Sequence, residues 1–243
     1  FVDSFSVKAV ISEGRISGLR LSNIVASVPQ YNGIKPDYLA IDGSFSGSLE
    51  NGLALLHAIP DEEAQIFDKW TGGGVLDGRI HIATPLNKTL EPAVITEFSI
   101  RDTNLKLADL PFPFKDLNGD FRFDSSNGLS GQNISTTVLD TPIQASIDAE
   151  GTPGRAISRV RASGRMEVAH LTKYLELEQA DLPVKGSFLF HLNLWLDEKK
   201  QSEIRISPTL EGLDTELPEP LYTKAETIRY TPWRFLPGDK QYH

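Results

Sequence analysis

The heptapeptide Leu76-Asp77-Gly78-Arg79-Ile80-His81-Ile82 alternates apolar with polar residues, and a glycine stands at one of its apolar positions. Similar runs are Ile41-Asp42-Gly43-Ser44-Phe45, Leu117-Asn118-Gly119-Asp120-Phe121-Arg122-Phe123, Ala162-Ser163-Gly164-Arg165-Met166-Glu167-Val168 and Val184-Lys185-Gly186-Ser187-Phe188-Leu189-Phe190. Successive side chains on a strand point to opposite faces, so each run puts its glycine on the apolar face. A glycine inside a strand marks a bend, a bulge or a close approach of backbone. Repeated across a sheet, such positions let it curl with the apolar side inward. The expected fold is mainly β: a large curved antiparallel sheet forming an elongated groove or partial barrel with an apolar concave face, plus one or two short helices.

Further period-two sets support the same reading. Phe5, Val7, Ala9 and Ile11 share a face, as do Val94, Thr96, Phe98 and Ile100, continued by Leu105 and Leu107 after a turn near Asp102. Ile143, Ala145 and Ile147 form another set, Ile204 and Ile206 a shorter one, and Phe188, Phe190, Leu192, Leu194 and Leu196 the longest. Turn signals stand at Tyr31-Asn32-Gly33, Ser126-Asn127-Gly128, Thr152-Pro153-Gly154 and Asp197-Glu198-Lys199-Lys200. Roughly ten to thirteen strands follow from such spacing. Two stretches break the alternation. Residues 53–71 carry apolar side chains at helical spacing, with Pro60-Asp61-Glu62-Glu63 as an acidic first turn and Gly72-Gly73-Gly74 as a stop. Residues 168–175 suggest a second short helix. The glycine runs recur at irregular intervals, unlike a solenoid or propeller. A single all-β unit over residues 1–243 is expected.

With 24 Lys and Arg against 33 Asp and Glu, the net charge of −9 weighs against nucleic acid, whose phosphates need clustered cations. The absence of cysteine removes disulfides and thiolate metal sites, which suits either the cytosol or the periplasm. The single methionine is Met166, so the chain is expected to be a processed product or a piece of a longer protein, with any anchor upstream. No apolar run reaches the roughly 18 residues of a spanning helix.

Candidate chemistry dissolves on inspection. His57, His81, His170, His191 and His243 show no metal-ligand spacing, and His81 and His191 are expected to face outward from strands. Asp116-Leu117-Asn118-Gly119-Asp120 begins like a calcium loop but has Phe121 where the loop needs glycine. It reads as a polar turn entering a strand. Gly43-Ser44-Phe45-Ser46-Gly47 has its serines in the wrong positions for a nucleophile elbow. Gly72-Gly73-Gly74 lacks the Lys-Ser/Thr of a phosphate loop. No nucleophile, base and oxyanion donor assemble, so no enzyme, cofactor or metal is expected.

The run Trp70-Thr71-Gly72-Gly73-Gly74-Val75-Leu76-Asp77-Gly78-Arg79-Ile80-His81-Ile82-Ala83-Thr84-Pro85-Leu86 resembles a stretch of the YhdP family, AsmA-like proteins of the Gram-negative envelope. Leu110-Pro111-Phe112-Pro113-Phe114 through Phe123 is similar to the family's leucine-proline passage and its following L-x-G-x-[LF]-x-F strand. Gly128-Leu129-Ser130, Thr141-Pro142-Ile143, Leu210-Glu211-Gly212-Leu213 and Leu217-Pro218-Glu219-Pro220 continue the likeness in order. The resemblance implies a middle segment of a periplasmic protein tethered to the inner membrane. Family members look like bridges that carry phospholipid towards the outer membrane along a β-groove.

On that reading the expected partners are phospholipid acyl chains, the remainder of the same chain with its inner-membrane anchor, and other envelope proteins. The candidate lining is Ile80, Ile82, Phe98, Ile100, Leu105, Leu107, Phe121, Phe123, Phe188, Phe190, Leu192 and Leu194. Alternation alone leaves open whether these residues fill a closed core or floor an open trough, since both bury one strand face. A non-catalytic structural or interaction module, recruiting a partner by strand addition, is the alternative.

Overall fold

The structure is a computed structural model and describes residues 7–28, 38–57, 70–86, 92–107, 112–150, 152, 157–174, 184–197, 200–209, 212–215 and 233–235. Thirteen strands and two helices are described: β1 (Val7–Ile16), β2 (Leu19–Val28), β3 (Tyr38–Ser48), α1 (Leu49–His57), β4 (Thr71–Pro85), β5 (Ala93–Lys106), β6 (Phe114–Asp124), β7 (Gly128–Val138), β8 (Thr141–Ala149), β9 (Ile157–Glu167), α2 (Val168–Tyr174), β10 (Val184–Asp197), β11 (Lys200–Thr209), β12 (Leu213–Thr215) and β13 (Trp233–Phe235).

All strands belong to one antiparallel sheet. From β1 to β11 each strand pairs with its neighbours in sequence; β13 pairs with β11, and β12 with the start of β10. The path does not close on itself, so this is an open sheet and not a barrel. Its length along the hydrogen-bonding direction follows from strand spacing: twelve strands in line, about 4.8 Å apart, extend roughly 50 Å.

The curvature comes from residues the alternation did not single out. Asn23, Asp102, Asp116 and Asn133 sit inside strands at φ of 53°, 48°, 51° and 52°. Asn and Asp tolerate this left-handed region better than other residues with a Cβ. Three register shifts contain these residues: Ser22/Val25, Ile100/Thr103 and Gly131/Ile134, and the shift at Lys115/Asn118 spans Asp116. Such β-bulges bend a strand and strengthen its twist. The expected turn near Asp102 is therefore a bulge within an unbroken β5, and the expected polar turn at Asp116–Asp120 is a bulge within β6. Each bulge adds one residue, so the apolar face is regained after a three-residue step: Leu21 to Ile24, Leu117 to Phe114, and Gly131 to Ile134.

The glycines have a more specific role than bending. Phe45 and Phe98 both stand directly opposite Gly78, Phe121 opposite Gly131, and Phe190 opposite Gly164. A Cβ on Gly78 would collide with the Phe45 ring and lie 2.6 Å from the Glu97 carbonyl; one on Gly164 would lie 2.9 Å from the Pro142 carbonyl oxygen and 3.0 Å from the Phe190 ring. These glycines are sockets, each covered by a cross-strand phenyl ring. Gly186 departs from its four counterparts. It has φ of 104°, and a Cβ there would collide with the carbonyl of Gly212, just before β12, so the position is one that only glycine takes without strain.

Both helices follow odd-numbered strands and so lie at the same rim of the sheet. The Ser48 hydroxyl accepts a hydrogen bond from the Asn51 amide at 3.2 Å, an N-cap that starts α1 four residues before the expected helix. Leu49 and Leu53, one turn apart, pack on Leu19, Leu76 and Ile100 in the buried cluster. Gly72-Gly73-Gly74, expected to stop the helix, lies inside β4. Residues 58–69, with the acidic Pro60–Glu63 turn, are outside the described residues, as are Tyr31-Asn32-Gly33 and Phe5. The second helix, α2, begins where expected.

Replacing Gly78 with Val is expected to destabilise the protein by about 1–3 kcal/mol through overpacking. Gly73, whose added Cβ would meet nothing within 4 Å, is the control. Gly73→Ala is expected to stay within about 0.5 kcal/mol of the parent. Thermal unfolding of the two variants checks this, and equal stability would remove the socket reading.

Candidate functional site

Directly paired residues of antiparallel strands project from the same face. Register therefore traces a line across the sheet: Leu21, Phe45, Gly78, Phe98, Phe121, Gly131, Ile147, Val160 and Leu194 are each paired with the next. Every member is apolar or glycine. Phe98 and Phe121 stack with ring centroids 5.2 Å apart in this row. Parallel rows flank it: Gly43, Ile80, Thr96, Phe123 and Leu129 on one side, and Ile134, Ala145, Ala162 and Leu192 on the other. One apolar surface thus runs unbroken from β2 to β10.

Leu107 apart, the register puts the expected lining positions on this surface in two groups. Ile80 and Ile82 lie on β4, Phe98, Ile100 and Leu105 on β5, and Phe121 and Phe123 on β6, with Leu107 just past the end of β5. Phe188, Phe190, Leu192 and Leu194 lie on β10. Leu129 and Ile134 on β7, Ile143 to Ile147 on β8, and Val160 and Ala162 on β9 join the groups. The alternation Ile143, Ala145, Ile147 is visible in the sequence. That it bridges the two groups depends on strand order, which the sequence does not spell out.

What covers this surface is limited. Only twelve apolar side chains are buried among the described residues, and Ile100 and Phe190 are among them at 6% and 8% exposure. Ile100 lies under α1 and belongs to a packed core. Ile80, Ile82, Phe98, Phe121, Phe188, Leu192 and Leu194 are half-buried, and Phe123 is 37% exposed. Apart from α1 and α2, no described element lies over the apolar face. The sheet curls towards this face where β8 ends. Ser158, on the apolar side of β9, reaches across to accept a hydrogen bond from the Leu129 amide of β7 at 2.8 Å.

The opposite face is polar and internally paired. His81 Nδ1 lies 2.7 Å from the Asp42 carboxylate, Arg122 donates to Glu97 at 2.6 Å, and Arg161 meets Asp148 at 2.7 Å. Trp195 is held between the guanidinium groups of Arg159 and Arg205, at 5.0 and 5.1 Å from its ring. A shallow hollow of about 730 Å³ spans this face from β2 to β7, lined by Ser44, Asp77, Arg79, Glu97, Asp120 and Arg122 among others. Phe45, Phe98 and Phe121 of the central row also contribute to its lining. Asp120 is held below the usual carboxylate range, first by the Arg101 guanidinium at 2.6 Å and then by the Ser99 hydroxyl at 2.8 Å. Among the described residues no group of His, Asp or Glu could hold a metal ion, and no helix is long and apolar enough to cross a membrane.

A single-layer antiparallel sheet with one continuous oily face and one ion-paired face defines an open β-trough protein. The chain belongs to the YhdP family, an envelope family: the family profile described as "YhdP protein" matches residues 2–232. No curated protein and no solved structure matches the chain.

The lowered pKa of Asp120 gives a signed expectation. Its stabilising contribution is complete above the unfolded carboxylate value near 3.8 and disappears as pH falls through the lower folded value. Asp120→Asn should therefore melt below the parent at neutral pH, with the gap closing as the solution is acidified past the ordinary carboxylate range. A gap that stays constant in melts across the acid range would contradict this.

Proposed function

We propose that this chain is a non-catalytic segment of a lipid-transfer bridge. In the full-length protein it is periplasmic and tethered to the inner membrane, and phospholipid moves through it towards the outer membrane. The observation that carries the reading is the apolar row from Leu21 to Leu194, continuous over neighbouring strands and, among the described residues, overlaid by helices at one rim and approached by β9 at the start of β7. An exposed apolar surface of this extent in a soluble protein marks a binding face. Acyl chains fit it because they need apolar area and no hydrogen bonds: each buried methylene contributes about 0.8 kcal/mol. The polar outer face keeps the same sheet wetted. Membership of the YhdP family, argued above from residues 2–232, is consistent with this placement in the envelope.

A second reading rests on β1, an edge strand whose Val10 and Ile11 are 63% and 55% exposed on opposite faces. Such an edge can accept a partner strand. The module would then recruit an envelope protein.

Organic extraction of the purified protein followed by mass spectrometry tests the first reading, with phospholipid expected. Phe123→Asp and Leu192→Asp should lower bound lipid several-fold while the far-ultraviolet circular dichroism stays that of a β-sheet. Phe123 is the better probe because its exposure lets a charge be hydrated in the empty protein. No phospholipid in repeated extractions, with no uptake of labelled lipid, would overturn the conduit.

A further inference from the structure

The apolar surface is folded sharply where it crosses β8. This strand pairs with β7 from Val138–Thr141 to Gly131–Ile147, and with β9 from Ile143–Gly164 to Ala149–Ser158. Gly128 and Leu129, beyond the last β7–β8 pair, meet β9 instead. The Leu129 amide donates to Ser158 Oγ at 2.8 Å, and a Cβ on Gly128 would stand 2.9 Å from that oxygen and 3.0 Å from the Ile157 carbonyl oxygen. Strands two apart in a flat sheet are separated by about 10 Å. Direct contact between β7 and β9 therefore means that the sheet closes about β8 like a hinge, apolar side inward. Ser158, a polar residue, is 6% exposed in the angle.

The other end of β8 is bridged by α2. Its Tyr174 ring meets Phe112, just before β6, edge to face at 6.3 Å. Lys173 reaches the Asp140 carboxylate of the β7–β8 turn at 3.4 Å, and Lys115 of β6 approaches the same carboxylate at 3.6 Å. The Thr141 hydroxyl lies 3.1 Å from Met166 Sδ and 3.3 Å from His170 Nδ1, tying α2 to β8 and β9. The angle between the β2–β7 leaf and the β9–β10 leaf is thus held at both ends of the strand between them.

We infer that the β7–β9 contact is a gate: it divides the trough into two compartments, and phospholipid passes β8 only when Leu129 and Ser158 part. The inference rests on the conduit reading above. A polar headgroup is costly to bury without partners, so it travels along a rim while its acyl chains follow the apolar face. With both ends of β8 bridged, neither rim is continuous past this strand. Opening at the α2 end breaks ring contacts and ion pairs together. At the β7–β9 end the described side-chain tie is one neutral hydrogen bond, weak once water can replace it. The bulge at Asn133, between the Gly131 and Ile134 pairs, already interrupts the β7–β8 ladder, so the start of β7 can swing while the pairs beyond it stay closed.

The chain has no cysteine, so nitroxide pairs can be placed at will. One pair, Asn127→Cys with His191→Cys, spans the gate from the β6–β7 hairpin to β10; a control pair, Asn127→Cys with Asp77→Cys, lies within one leaf. All three positions are exposed. Pulsed electron–electron resonance measures both distances in the full chain, empty and after loading from phosphatidylcholine vesicles, with bound lipid counted by extraction. Loading is expected to lengthen the spanning distance by several ångströms and to leave the control distance unchanged. Ser158→Ala, added to the spanning pair, is expected to populate the longer distance before any lipid is present. Bound lipid with an unchanged spanning distance, an equal change in both pairs, or no effect of Ser158→Ala overturns the gate and leaves the conduit standing. No bound lipid in any of these proteins overturns the conduit itself, and the gate with it.

Discussion

Cross-strand register is the constraint on which the rest of this protein depends. In an antiparallel sheet, a residue and its direct partner share a face, so the side on which any strand shows its apolar residues fixes that of its neighbours. A one-residue slip in a single strand would expose every apolar side chain on it and leave a charged row in the trough. The bulges show how the chain bends without paying that penalty. Asp102 in β5 and Asp116 in β6 fall in adjacent strands, and the Asn118 side chain accepts from the Asp102 amide at 3.1 Å, joining the two irregularities. Beyond them Leu105 pairs with Phe114, and the oily face continues.

Sidedness also explains why the two faces carry such different chemistry. On the apolar face a bare glycine beside a phenyl ring lets the rings lie flat and fill the surface. On the polar face the same strands carry cross-strand ion pairs, with side chains largely in water, where each pair contributes little alone. The described strands form one layer.

Much of this was legible in the sequence because alternation is a local signal. The runs at Gly78 and Gly119, the long set from Phe188 to Leu194, and the onset of α2 could all be read from neighbours in the chain. The bulges could not be read in the same way. Their trace is a three-residue gap between apolar positions with Asn or Asp nearby, as at Leu21, Asn23 and Ile24, and the eye takes such a gap for a turn. The start of α1 is hidden in the sequence because its cap, Ser48, is also the last residue of β3 and resembles another strand serine. The bridging role of Val160 and Ala162 was hidden for another reason. It depends on which strands are neighbours, a long-range property that no short window contains.

The contacts of this sheet run mostly between successive strands, apart from the helices, the pairings of β12 with β10 and of β13 with β11, and the approach of β7 to β9. A protein so arranged behaves as a quasi-one-dimensional stack, its stability a sum of neighbouring interfaces and not the property of one shared nucleus. Low sequence separation between contacting strands favours fast local folding, hairpin by hairpin. Growth is equally local: a further hairpin added at an end needs to match only the last strand, with no core to repack. Length, in such an architecture, is a parameter that evolution can change without redesigning what is already there.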